Sequence, residues 1–302
     1  MSLAVVILTY NEALHIARAI QSIKSVASEI LVIDSWSTDD TAEIAKANGA
    51  VVMQHDFVNQ AKQFQWALDT APITAAWVMR LDADEVIGAD LVEEIARSLP
   101  QLPPDVTGVV LNRKHIFLGR WIRHGGRYPL RLLRIWRRDQ ATVEDRWMDE
   151  HIFVKSGRTV EFAGDFSDIN LNDLTSFVDK HNRYATREAV QVVLQRRGQA
   201  VENNAPRAGT VRQARLKRML KTAIYERMPF QLSATGYFLY RYVVRLGFLD
   251  GREGLIYHVL QGFWYRFLVG AKVLELERAL QAVKNPAEVK PLLSKLTGLK
   301  IG

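Results

Sequence analysis

The chain has 302 residues, 48% of them hydrophobic, with 40 basic and 33 acidic side chains. That is enough apolar material for a sizeable core, so disorder is not the default. There is no cysteine, which removes disulfides, thiolate zinc sites and cysteine nucleophiles together and fits a reducing compartment.

The N-terminus enters a strand-like run directly, so no signal peptide is expected. No uninterrupted apolar stretch of about 18 residues predicts a spanning helix. Residues 4–9 (AVVILT) are continuously apolar, as a strand buried on both faces should be. A helix is predicted over 12–25, a strand over 29–34 (EILVID), and a helix over 39–48 stopped by Gly49. Residues 50–55, 58–68 and 75–82 continue the strand–helix–strand rhythm. This alternation implies an α/β fold with a mostly parallel sheet and helices on both faces. Ligands in such sheets bind beyond the carboxyl ends of the strands, here 9–12, 34–41 and 82–85. Further on, strands are predicted over 107–112, 131–136 and 151–154 in a mixed region. A helix over 172–195 carries Leu174, Phe177, Val178, His181 and Ala185 as its apolar stripe. Residues 196–210 lack periodicity and read as a loop, and the remainder is helical and aromatic-rich. The expected organisation is a catalytic domain over 1–165, a helix and loop over 166–211, and a basic helical region over 212–302.

Three segments carry chemistry. Asp82, Asp84 and Glu85 follow a buried strand, where bare carboxylates repel one another and cost desolvation. A hard divalent cation, Mg²⁺ or Mn²⁺, relieves that repulsion, and a substrate diphosphate completes its shell. Thr9-Tyr10-Asn11-Glu12 joins a strand end to a helix start, which offers backbone N–H groups and a positive dipole end to phosphate. Asn11 equally suits an ordinary N-cap. Asp34 ends the second strand, where it can accept from a base N–H, and residues 37–41 equally suit helix capping.

In this order the motifs resemble those of the family-2 glycosyltransferases, inverting enzymes of the GT-A (Rossmann-like) fold. They are Thr-x-Asn-Glu (Thr9, Asn11, Glu12), Asp-x-x-Ser-x-Asp-x-Thr (Asp34, Ser37, Asp39, Thr41) and Asp-x-Asp (Asp82, Asp84), within about the first 155 residues. The resemblance implies that Thr9, Tyr10, Asn11 and Glu12 surround the nucleoside of a nucleotide-sugar donor, UDP-linked as is common in the family. It implies that Asp34 contacts the base, that Asp82 faces the ribose and metal shell, and that Asp84 binds the metal. Ser37, Lys62, Arg80 and Ala83 join the donor set. Inversion needs a general base for the acceptor proton and charge neutralisation on the departing diphosphate. Glu150 is the expected base, with Asp149 as the alternative, and His151 is a candidate metal ligand. The preceding Arg127-Tyr128-Pro129, Arg131-Leu132-Leu133 and Arg137-Arg138 resemble the lipopolysaccharide-core branch. That branch also has a patch like Asp168-x-Asn170, expected to pin the acceptor-side loop to the following helix.

The net charge of +7 is uneven: residues 196–252 hold 12 Lys/Arg against 3 acids. The runs 236–244 (GYFLYRYVV) and 262–269 (GFWYRFLV) are broken by Arg241 and Arg266, and Arg245 ends the first. Rings beside cations suit an amphipathic helical region lying on anionic lipid. Residues 247–254 (GFLDGREG) and 263–266 (FWYR) resemble the tails of lipopolysaccharide-core and capsule glycosyltransferases. The resemblance implies a lipid-linked saccharide acceptor and a cytoplasmic enzyme, peripheral on the inner face of the cytoplasmic membrane. A soluble helical cap or a homo-oligomer face are the other uses of such a surface. Two further classes compete. A nucleotidyltransferase wants a Gly-rich basic loop after the first strand, where this chain has YNEAL. A nucleic-acid-binding protein would set the basic tail on phosphates, and no nucleic-acid partner is expected.

Overall fold

The computed structural model describes residues 2–143, 152–199, 228–299 and 301. The chain divides into two units, Met1–Asn172 and Asp173–Gly302. Residue 165, the expected end of the catalytic domain, lies inside a strand of the first unit.

The first unit is an α/β sheet in the order β3-β2-β1-β4-β8-β6-β11-β5, with β7 on the outside of β6. Its first half comprises β1 (Leu3–Thr9), β2 (Glu29–Asp34), β3 (Val51–Gln54) and β4 (Trp77–Asp82). All are parallel, and their register aligns Thr9 with Asp34, Asp34 with Gln54, and Leu8 with Asp82. β1 is central and covered on both faces, which is why it is apolar throughout. Leu3, Val5 and Ile7 pack with Ile16, Ile20 and Ile23 of α1 (Ile16–Ile23) and with Leu91 and Ile95 of α4 (Ala89–Ser98). Ala4 and Val6 face the other layer, with Phe64 and Ala67 of α3 (Gln60–Thr70). α2 (Thr41–Ala47) connects β2 to β3. The chain leaves β1 to build β2 and β3 on one side, then adds β4 on the other. The crevice at the carboxyl ends of β1 and β4 is therefore a topological switch point.

The second half of the sheet is mixed. It holds β5 (Glu85–Ile87), β6 (Val106–Phe117), β7 (Arg120–Trp121), β8 (Leu130–Arg137) and β11 (Arg158–Ile169). β9 (Ala141–Val143) and β10 (Ile152–Val154) pair separately. The 12-residue β11 was not foreseen from the pattern of RTVEFAGDFSDI. It runs parallel to β6 and antiparallel to β5, with an irregularity between Glu161 and Asp165. Gly164 lies in that irregularity because α4 passes over it: a Cβ there would stand 2.6 Å from the Cα of Leu91. α1 also starts at Ile16 rather than at residue 12, since residues 12–15 form a turn in which His15 and Ile16 N–H donate to the Glu12 carbonyl.

The second unit is helical: α5 (Leu174–Arg196), α6 (Phe230–Leu239), α7 (Gly251–Tyr257), α8 (Tyr265–Ala279) and α9 (Val289–Thr297). Two π-helical stretches, Tyr240–Val244 and His258–Trp264, interrupt the series. Its core joins Ala189, Val190, Val193 and Leu194 of α5 to Val273 and Leu276 of α8 and Leu293 of α9. The expected stripe on α5 needs correcting at its start. Leu174 is exposed and the buried face begins at Ala185, because the first turn is a capped, solvated end with Asp173 accepting from Ser176 N–H. Arg241, expected to reach lipid, is buried instead between the rings of Tyr237 and Tyr257. The basic stretch 212–220 and the loop from residue 200 lie outside the described residues. Among the described residues no helix is long and apolar enough to cross a membrane.

Candidate functional site

The loops after β1 and β2 are laced together. The N–H groups of Asn11, Glu12 and Ala13 donate to Ser37 Oγ (2.8 Å), Thr41 Oγ1 (2.8 Å) and Asp39 Oδ2 (3.2 Å). In return Asn11 Oδ1 accepts from Thr38 N–H at 2.8 Å. Asn11 takes a left-handed backbone (φ 54°) to do so, a conformation asparagine tolerates better than most residues. These bonds correct the sequence reading: the amides offered to phosphate are already taken, and Asn11 caps the facing loop rather than α1. Against slight burial, the Thr41 hydroxyl and the Ala13 and Thr41 amides hold the Asp39 carboxyl below its usual range.

Asp34 is fully buried and accepts from Thr9 Oγ1 (3.1 Å), Ser37 N–H (2.9 Å), Ser37 Oγ (2.5 Å) and Gln54 Nε2 (3.4 Å). Its first task is to shape the 34–38 loop, and contact with a base requires one of these donors to give way. This rim exposes two aromatic rings, Tyr10 and Trp36; Trp36 is also left-handed (φ 61°) and donates Nε1–H to Asp56 at 2.7 Å. Lys62 is exposed in the first turn of α3, where its N–H donates to the capping Asn59 side chain.

The acidic turn after β4 rests on buried arginines. Arg80 Nε donates to Asp82 Oδ1 at 3.1 Å, and Arg134 Nη2 lies 3.6 Å from Asp82 Oδ2 and 2.6 Å from Glu85 Oε1. Glu85 Oε2 accepts from Asp82 N–H at 2.9 Å. Arg113 adds a third guanidinium, 3.7 Å from Glu85 and 3.8 Å from Asp168. Although burial opposes it, Arg80 and Arg134 hold Asp82 well below the usual carboxylate range. Burial, reinforced by the Asp82 charge and opposed by Arg134, pushes the Glu85 carboxyl up to about 8. Arg80, read from sequence as a donor contact, is thus buried as the counterion of Asp82. Ala83 is buried between the two acids.

A second side of the turn is closed by the end of β11. Asn170 Nδ2 donates to Asp84 Oδ2 at 3.2 Å, and Ile169 N–H to the Asp84 carbonyl at 2.9 Å. Asp168 turns back to His115 Nδ1 at 3.0 Å. Asn170 of the Asp168–Asn170 patch therefore grips the acidic turn. Two residues outside the sequence-derived set complete the joint. Arg18 Nη2 donates to the Ile169 carbonyl at 2.6 Å. His15, 1% exposed, lies between Glu12 Oε2 (2.7 Å) and Leu171 N–H, which donates to Nε2 at 2.9 Å. A backbone N–H only donates, so Nε2 is the bare nitrogen and Nδ1 carries the proton toward Glu12. Periodicity marks His15 and Arg18 as ordinary helix positions, so no sequence signal would have found them.

Asp84 suits a hard cation: it is a half-buried carboxylate at a strand end, with one amide donor on Oδ2. Asp82 is largely neutralised by its arginines. Among the described residues no three His, Asp or Glu side chains cluster to hold a metal. That donor set fits Mg²⁺ or Mn²⁺ held by one or two carboxylates, with water and substrate phosphates filling the remaining positions. Glu150, Asp149 and His151 lie outside the described residues.

A parallel α/β half-sheet with an acidic pair at its switch point, followed by a mixed half, defines the GT-A class of nucleotide-sugar fold. Residues 4–160, over half the chain, match the model of glycosyl transferase family 2, and the chain belongs to that family. An uncharacterized glycosyltransferase of Rickettsia prowazekii is 40% identical over 89 residues, 30% of each chain. The glycosyltransferase SunS of Bacillus subtilis is 31% identical over 93 residues, 30% of this chain and 22% of its own. The match thus spans less than a third of these relatives. Among solved structures, glucosyl-3-phosphoglycerate synthase from Mycobacterium tuberculosis, in complex with Mn²⁺, UDP and glucosyl-3-phosphoglycerate, is similar at 24% identity and TM-score 0.32, over 38% of this chain and 44% of that one.

Proposed function

We propose that this chain is an inverting glycosyltransferase that moves a sugar from a UDP-linked donor to a lipid-linked saccharide of the lipopolysaccharide or capsule type. The observation that carries this reading is the register that gathers Thr9, Asp34 and Asp82 at the strand ends flanking the switch point, with Asp84 directly beyond. Tyr10 and Trp36 give the rim a stacking surface for a base. Asp82, fixed by Arg80 and Arg134, faces the ribose side, and Asp84 takes the metal. A bound Mg²⁺ or Mn²⁺ supplies charge neutralisation for the departing diphosphate. Asn170 and the Ile169 amide orient Asp84 for that task. The acceptor hydroxyl loses its proton to a carboxylate of the 149–150 pair, Glu150 first and Asp149 as the alternative. The basic aromatic tail gives the enzyme a peripheral seat on the inner face of the cytoplasmic membrane.

The test compares Glu150→Gln with Asp149→Asn. Loss of the general base should leave nucleotide-sugar binding intact and slow transfer by roughly 10²- to 10⁴-fold. A variant at 150 that transfers normally hands the role to Asp149, and two normal variants contradict the base assignment.

A further inference from the structure

We propose that residues 243–249 form a rigid apolar wedge that inserts into an anionic lipid surface. This deepens the membrane part of the reading above and rests on it, not on the donor chemistry.

The surface of the second unit is arranged inside out here. Val243, Val244, Leu246, Phe248 and Leu249 are all 46–67% exposed, and they are consecutive except for Arg245 and the buried Gly247. Beneath them lie the charged Arg241 and Asp250 and the imidazole of His258, each at most 4% exposed. A protein surface that meets water alone has the opposite order, since burying charge and exposing large apolar groups both cost free energy. A hydrocarbon boundary outside the tip reconciles the two.

Three further features suit lipid. Three amides of the tip are paired locally: Arg245 N–H donates to Tyr240 O (2.8 Å), Leu246 N–H to Val243 O (3.1 Å) and Leu249 N–H to Leu246 O (3.0 Å). Peptide groups entering a bilayer boundary need such partners because water is scarce there. The tip is also braced from below. A Cβ on Gly247 would stand 2.6 Å from His258 Nε2, and His258 Nε2 is 3.9 Å from Asp250 Oδ2. Leu246 adopts a left-handed backbone (φ 58°), which turns the chain at the tip. The charge pattern selects the partner. Arg245 and Arg252 are exposed, and Asp250, the one acid between residues 239 and 252, is buried. Cations at the rim of an apolar tip complement anionic headgroups. Two copies meeting tip to tip would set these arginines against one another, which disfavours a symmetric self-contact.

The experiment is co-sedimentation of the full chain with phosphatidylcholine vesicles, with and without phosphatidylglycerol. Wild type and Leu296→Ser, a control at an exposed site on α9, should bind the anionic vesicles equally. Phe248→Ser/Leu249→Ser should partition roughly 30-fold more weakly, as expected when the exposed halves of two large apolar side chains no longer leave water. Arg245→Glu should lose the preference for anionic vesicles. Phe248→Trp, which keeps a large ring, should still bind and shift its emission to the blue on anionic vesicles. Equal binding by the double variant overturns the wedge while leaving membrane association standing. No binding by wild type overturns both. Concentration-dependent self-association abolished by the double variant gives the face to a second copy and overturns the lipid assignment. Thermal shift with a UDP-sugar on the same samples reads the donor site independently.

Discussion

Glu85→Gln reads the charge balance buried beneath Asp82. Glu85 is 1% exposed, and burial together with the Asp82 charge raises its carboxyl from 4.5 to about 8 despite Arg134. The unfolded chain titrates near the ordinary value, so the folded state holds the extra proton between the two. The stability contributed by that proton is complete below about 4.5 and is lost as pH rises through about 8. At about 1.4 kcal/mol per pKa unit, the loss is on the order of a few kcal/mol. Glutamine has no proton to release, so the variant lacks this decline. Its amide has one acceptor oxygen for two donors, Asp82 N–H and Arg134, so one of them is left unmatched, a pH-independent cost of about 1 to 3 kcal/mol. Wild type should therefore be the more stable protein in acid and the variant in alkali, with the two curves crossing between. Urea unfolding of both across this range measures it. Parallel profiles would show that Glu85 stays ionised as a plain ion-pair partner of Arg134, and would refute the reasoning.

Two other substitutions probe the joint around Asp84. His15→Leu removes the bridge from Glu12 to Leu171 N–H, so it should destabilise the first unit by about 1 to 3 kcal/mol and speed amide exchange at Leu171; unchanged exchange would mean the bridge is idle. Asn170→Ala should change stability by no more than about 1 kcal/mol yet weaken Mn²⁺-dependent binding of a UDP-sugar, since Asp84 loses its orienting amide. Wild-type affinity in that variant would release Asn170 from the site.

The parallel half of the sheet was legible in the chain because strands covered on both faces carry uninterrupted apolar runs, as 4–8 and 30–33 do. The strand ends then located the polar segments before any contact was known. β11 escaped because a bulge and the acids Glu161, Asp165 and Asp168 break its pattern, and the partners of those acids, Arg131, Lys114 and His115 among them, come from other strands. The same blindness to partners explains the two corrections at the site. Nothing in residues 9–13 shows that Ser37, Thr41 and Asp39 will occupy their amides. Nothing in the local sequence of Arg80 or Arg134 shows that both turn inward to the acidic turn. The tail reversed in a similar way: Arg241 reads as a surface cation, yet its side chain is buried against the rings of Tyr237 and Tyr257.

The central claim is that the acidic turn at the end of β4 holds a nucleotide-sugar through a divalent cation. Calorimetric titration of UDP-glucose into wild type and Asp84→Ala, each with and without Mn²⁺, tests it most directly. Wild type should bind only in the presence of the cation, and Asp84→Ala should lose that binding. Binding of equal strength without Mn²⁺, or undiminished in Asp84→Ala, would contradict it.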